Sequence, residues 1–151
     1  MLKNPSDPVA RAGKPADGKD SLRLGERGSE TILIVEDEDA VRTIARRILE
    51  SYGYVVIEAD VPERALALCA STQTPVHLLL SDLVMPGMNG QELSRRLVEL
   101  RPDLRVLFMS GYADAPQRYG LTERDRFLAK PFSPVELARM VRETIDARDW
   151  S

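Results

Sequence analysis

Apolar residues in this chain cluster in short unbroken runs, and between the runs they recur with helical period. Ile32-Leu33-Ile34-Val35, Leu78-Leu79-Leu80, Val106-Leu107-Phe108-Met109 and Phe127-Leu128-Ala129 are too short and too continuous for amphipathic helices. They read as strands buried on both faces of a parallel sheet. With Val55–Ala59 they predict strands over Thr31–Val35, Val55–Ala59, His77–Ser81, Arg105–Met109 and Phe127–Ala129. The stripe Val41, Ile44, Ala45, Ile48, Leu49 and Tyr52 predicts a helix, with Asp39 as its N-cap and Gly53 as its stop. Asp60 with Glu63 resembles a capping box, and Pro62 suits the first turn of a second helix ending near Ala70. A third helix over Gln91–Leu100 would bury Leu93, Leu97 and Leu100. Ser133-Pro134-Val135-Glu136 opens a final helix that runs to about Ala147. Only Gly111–Arg126 lacks a pattern, and Pro116 and Gly120 keep any helix there short. The alternation of strand and helix predicts an α/β domain with helices on both sheet faces.

Polar residues follow the runs in a telling way. Glu36 and Asp37 end the first, Asp82 the third, Ser110 the fourth and Lys130-Pro131 the fifth. If the strands are parallel, all five polar side chains gather at the carboxyl edge of one sheet, where open α/β sheets bind ligands. Three carboxylates, an ammonium and a hydroxyl suit a magnesium ion beside a phosphoryl group, with Asp82 as acceptor.

Composition narrows the reading. The 151 residues suffice for one domain with a substantial core, and 43% hydrophobic with 30% charged residues is ordinary for a globular protein. No stretch approaches the roughly 20 apolar residues of a membrane helix, and no signal segment opens the chain, so a cytoplasmic location is expected. The single cysteine, Cys69, lies in an apolar helical stretch and reads as a buried hydrophobe. Residues 1–29 carry six Lys/Arg against four Asp/Glu, whereas residues 30–151 carry fifteen against twenty. An acidic body argues against direct nucleic-acid binding. Residues 1–29, rich in Gly, Pro, Ser, Asp and Lys, read as a disordered tail or linker, leaving a domain over 30–149.

The segments Ile32-Leu33-Ile34-Val35-Glu36-Asp37-Glu38, Leu80-Ser81-Asp82-Leu83-Val84-Met85-Pro86-Gly87-Met88-Asn89-Gly90, Phe108-Met109-Ser110-Gly111-Tyr112 and Leu128-Ala129-Lys130-Pro131-Phe132 resemble the receiver domain of two-component response regulators. The Met85–Gly90 loop and the Phe108–Tyr112 segment look most like the C-terminal receivers of hybrid sensor histidine kinases. The resemblance implies a flavodoxin-like (βα)5 fold with a doubly wound five-stranded sheet of order 2-1-3-4-5. It implies Asp82 as the phosphoacceptor from a kinase phosphohistidine. Mg2+ would be held by Glu36, Asp37, Asp82 and the main-chain carbonyl of Val84, with Lys130 and Ser110 on the phosphoryl oxygens. Ser110 and Phe127 would act as a switch that alters the surface of the fourth helix, fifth strand and last helix, and the Lys130–Pro131 peptide would be cis. The implied partners are a sensor histidine kinase or phosphotransfer protein and an output partner, with the chain a monomer or weak dimer that catalyses only its own transfer and autodephosphorylation.

Some positions differ from the family habit. Glu36 stands for the commoner Asp, Phe127 for the commoner Tyr, and the interval from Ser110 to Lys130 is slightly short. His77 borders a strand and reads as a surface residue, not a phosphorelay histidine. Three rival readings bear on the same residues. A haloacid-dehalogenase-type phosphatase would use Asp37, with Asp39 two residues on as its acid. A flavodoxin would need a phosphate-holding loop where Glu36–Asp39 stands. An unphosphorylated receiver would serve only as an interaction module.

Overall fold

The computed structural model describes residues 27–147. Five parallel strands, β1 (Thr31–Val35), β2 (Val55–Ala59), β3 (Leu78–Asp82), β4 (Arg105–Ser110) and β5 (Arg126–Ala129), form one sheet in the order β2-β1-β3-β4-β5. Helices α1 (Asp39–Ser51), α2 (Pro62–Ser71), α3 (Gly90–Leu100), α4 (Ala115–Arg118) and α5 (Pro134–Asp146) alternate with them. This is the doubly wound α/β fold that the alternation predicts.

Strand parity divides the core. Leu33, Val35, Leu79, Val106 and Phe108 face α2 and α3, where they meet Ala65, Cys69, Leu93 and Leu97. Ile32, Ile34, Leu78, Leu80, Leu107 and Met109 face the other way, against Ala45 and Leu49 of α1 and Leu137, Ala138 and Val141 of α5. Because successive strand residues point to opposite faces, a strand covered on both sides must be apolar at every position. Cys69 is buried in the first of these layers, as its setting predicts, and burial holds its thiol pKa above the ordinary value.

Helix ends show both agreement and correction. Ser133 and Glu136 form the reciprocal capping box expected at α5. Asp39 is not a cap: Glu38 occupies the N-cap position without a side-chain bond, and Asp39 pairs with Arg42 at 2.6 Å. Asp60 is not a cap either. Val61 is the N-cap of α2, so Asp60 lies one residue too early to serve. α3 begins at Gly90 under an unanticipated cap, the Asn89 side chain accepting from the Glu92 main-chain N–H at 2.9 Å. Ile44 and Leu100, expected in the core, are 54% and 46% exposed. The Gly111–Arg126 segment holds only the four-residue α4.

The tail boundary also moves. Residues 1–26 and 148–151 lie outside the described residues, but Arg27–Ser29 belong to the folded body. The Gly28 N–H donates to the Tyr52 carbonyl at 3.1 Å, and Arg142 of α5 donates to the Arg27 carbonyl at 3.1 Å and to both carboxylate oxygens of Glu30. Among the described residues no helix is long and apolar enough to cross a membrane.

Candidate functional site at the carboxyl edge of the sheet

Register aligns the strand ends. Val35 lies opposite Ser81, Asp82 opposite Met109 and Ser110 opposite Ala129. By that register Glu36 comes level with Asp82, while Ser110 lies one residue and Lys130 two residues farther along toward the same edge. The Lys130 N–H continues the ladder by donating to the Ser110 carbonyl at 2.9 Å.

The side chains converge as the sequence pattern requires. Carboxylate oxygens of Glu36, Asp37 and Asp82 lie within 4.8 Å of one another. Lys130 Nζ reaches Glu36 Oε1 at 2.9 Å and Asp82 Oδ2 at 3.3 Å. Glu36 is fully buried and Asp82 nearly so, whereas Asp37 is exposed. Ser110, also buried, accepts on Oγ from the Tyr112 N–H at 3.1 Å. Asp37, Asp82, Ser110 and Lys130 border an open cleft of about 740 Å³, whose wall is completed by Val41, Ile44, Val84, Tyr112, Pro131 and Phe132, with Glu36 buried behind it. The Lys130–Pro131 peptide is cis.

Charge in the cleft is unbalanced. Burial pushes the Glu36 carboxyl above its ordinary pKa, and the bond from Lys130 and the Glu38 N–H only partly offset it. Asp82 is likewise raised by burial against the opposing Lys130 charge, and Asp37 adds repulsion. Burial works against the Lys130 charge, but the Glu36 and Asp82 carboxylates more than compensate and hold its pKa above the lysine value. One ammonium thus faces three carboxylates, two of them short of stabilisation. A hard divalent cation with oxygen preference fits such a donor set.

The acid loop is built differently from a bare metal cradle. Both Glu36 carboxylate oxygens have partners: Oε1 accepts from Lys130 and Oε2 from the Glu38 N–H at 3.1 Å. The Glu36 carboxylate is thus shared between Lys130 and the main chain of its own loop. Gly90 is a second feature that the sequence reading did not assign. A Cβ there would collide with the Asp82 carbonyl, so only glycine lets the start of α3 close on the acceptor's backbone. Phe127 is half-buried and packs against the α2/α3 side of the core, as Tyr119 and Leu121 do. His77 is exposed, and its Nδ1 accepts from the Thr31 N–H at 2.9 Å.

The sequence profile of the response regulator receiver domain matches residues 32–142. The chain belongs to this family. It is a phospho-accepting receiver of two-component signalling; receiver domains interact with histidine kinases or phosphotransfer proteins and bind Mg2+ at an acidic pocket, and here Glu36, Asp37 and Asp82 form an acidic cluster. Over 144 residues the receiver is 40% identical to the sensor kinase CckA of Brucella abortus (strain 2308), an alignment that takes in 94% of this chain and 15% of that kinase. It is 36% identical to the response regulator receiver protein CpdR of the same organism, over 77% of this chain and 97% of CpdR. The crystal structure of the receiver domain from the hybrid histidine kinase CckA superposes with a TM-score of 0.65 at 36% identity, covering 77% of this chain and 99% of that one. The membership removes the phosphatase and flavodoxin readings. Asp39, which the phosphatase would need inside the site, has an 86% exposed side chain turned to Arg42.

Proposed function

We propose that Asp82 is the phosphoacceptor of this receiver and that the chain takes its phosphoryl group from a phosphohistidine on a sensor kinase or phosphotransfer protein. The observation that carries this is the pairing of Asp82 with Lys130 at 3.3 Å inside the three-carboxylate cleft. The Asp82 oxygen would attack phosphorus and the histidine nitrogen would depart, leaving an acyl phosphate on the receiver. Asp37, Asp82 and the Val84 carbonyl are the groups that would hold Mg2+. When bound, that ion supplies charge neutralisation for the phosphoryl oxygens.

The chain's own groups do the rest. Lys130 sits between Glu36 and Asp82, poised to follow negative charge as it grows on the acceptor side. Glu36 fixes that ammonium before transfer, and its carboxylate, which keeps free lone pairs beside the bonds from Lys130 and the Glu38 N–H, would assist the ion directly or through water. The Ser110 hydroxyl, now accepting from Tyr112, has its own proton to give to a phosphoryl oxygen. Its reorientation would free space beside β4 for Phe127 to shift inward, altering the face made by the short α4, β5 and α5. Val84 and Tyr112 border the cleft and would limit the water that hydrolyses the acyl phosphate.

The kinship with CckA supports a setting beside hybrid histidine kinases, and the proposed location is the cytoplasm. Incubation with a small phosphodonor and Mg2+ tests the acceptor. The wild-type protein should be labelled, and chelation or Asp82→Asn should abolish the label. Undiminished labelling of Asp82→Asn would refute the assignment, and an unlabelled wild type would favour the interaction-module reading.

A further inference from the structure

Arg42 lies outside the cleft's lining yet is bonded to the loop that carries its acids. From the first turn of α1 its guanidinium donates in three directions. Nη1 reaches the Glu36 main-chain carbonyl at 2.7 Å, Nη2 the Asp39 carboxylate at 2.6 Å and Nε the Glu58 carboxylate of β2 at 3.2 Å. The side chain is 15% exposed, so these contacts are only partly open to solvent. Glu58 is itself steadied by Arg46, whose Nε lies 2.7 Å from its other oxygen, close enough for an ion pair though not aligned as a hydrogen bond.

The loop needs such a fastening. It carries buried and exposed carboxylates that repel each other, and its helix start lacks a side-chain cap. The Glu36 N–H is tied to the Ala59 carbonyl at 3.2 Å, which fixes one side of the peptide chain at Glu36. Arg42 fixes the other, at the carbonyl that leads directly into Asp37. A guanidinium can do this because its planar fork serves several acceptors at once, which an ammonium cannot match.

We infer that Arg42 is a positioning residue for divalent-cation binding: by clamping the Glu36 carbonyl to Asp39 and Glu58 it holds Asp37 in place before the ion arrives. The inference rests on the acidic cleft being the Mg2+ site. Without the clamp, binding must also order the loop, and affinity falls as it does when groups supporting metal ligands are removed.

Calorimetric titration of the full chain with MgCl2, well below the melting temperature, provides the test, with melting in chelator measured alongside. Arg42→Met should raise the Mg2+ dissociation constant by roughly tenfold. Arg42→Lys, able to serve fewer acceptors, should fall between Met and wild type, and it decides the matter if Arg42→Met does not fold. Glu58→Gln weakens one anchor of the clamp but leaves the Glu36 carbonyl contact and an amide oxygen to accept from Arg42, so its loss of affinity should fall well short of that in Arg42→Met even if it melts earlier. Wild-type affinity in Arg42→Met, or equal weakening in Arg42→Met and Glu58→Gln, would overturn the clamp. Failure of the wild-type protein to bind Mg2+ would instead overturn the site assignment beneath it.

Discussion

Asp82→Asn should make the receiver more stable when no divalent cation is bound. At an effective dielectric constant of about 20, an attraction across 3.3 Å is worth about 5 kcal/mol, which bounds what Lys130 gives Asp82. Repulsion between carboxylate oxygens within 4.8 Å of each other is at least about 3.5 kcal/mol on the same scale, and Glu36 supplies it in full because it is buried. Asp37 is exposed, so solvent screening cuts its share to roughly half. Attraction and repulsion then nearly cancel, and what remains is the cost of burying the acceptor's charge. Asparagine keeps the shape, removes the charge and leaves Lys130 paired with Glu36 at 2.9 Å. A gain of about 1–2 kcal/mol follows, or roughly 4–8 °C in melting temperature for a domain of this size. The pH sign agrees. A carboxyl whose folded pKa is raised costs stability when ionised, so the wild-type protein should recover stability as pH falls through that pKa, and the variant less so. Mg2+ reverses the order once near saturation: at a hundred times its dissociation constant it adds about 2.7 kcal/mol to the wild-type protein and much less to the variant. Urea denaturation in chelator and in Mg2+ measures both arms. Destabilisation by Asp82→Asn in chelator, or equal Mg2+ stabilisation of the two proteins, would refute the electrostatic account.

Lys130→Ala should act in the opposite sense, because it leaves buried Glu36 without its cation. A loss of about 3 kcal/mol in chelator is expected by denaturation, with labelling impaired more than Mg2+ affinity; equal loss of both would count against its place at the phosphoryl group. Gly90→Ala must displace the start of α3 or the Asp82 carbonyl, costing about 1–3 kcal/mol and slowing phosphorylation, and unchanged kinetics would show that the close approach is dispensable. Glu30 has a pKa lowered first by its bond from Arg142, so its contribution is present above the ordinary glutamate value and is lost as pH falls through the lowered one. Glu30→Gln should therefore flatten the acid limb of the stability profile by about 1 kcal/mol, and an unchanged limb would place the acid sensitivity elsewhere.

Much of this arrangement is legible in the chain because the fold converts strand ends into neighbours. Glu36, Asp37, Asp82, Ser110 and Lys130 each follow an apolar run, and parallel register brings them together without any local signal linking them. The five strands and their two-faced burial follow from continuous apolar runs, and the weak pattern of Gly111–Arg126 foretells the four-residue α4. What escapes is decided by long-range partners. Asp39 has the chemistry of a cap, but Arg42 claims it. Ile44 keeps the helical period yet lies at the open cleft, where the described residues leave it 54% exposed. Arg27–Ser29 resemble a tail until Arg142 of the last helix reaches them. Glu36 reads from the sequence as an acid near the ion, and only the fold shows that its carboxylate also accepts from Lys130, ninety-four residues away.

The most direct measurement is the position of the phosphoryl group itself. After reaction with a phosphodonor and Mg2+, borohydride reduction converts an acyl phosphate to a stable alcohol that peptide mass spectrometry can locate. Reduction should mark the residue at the end of β3, Asp82, and no other carboxylate. A mark on Asp37, or on neither of them in a protein that has taken up phosphate, would contradict the account.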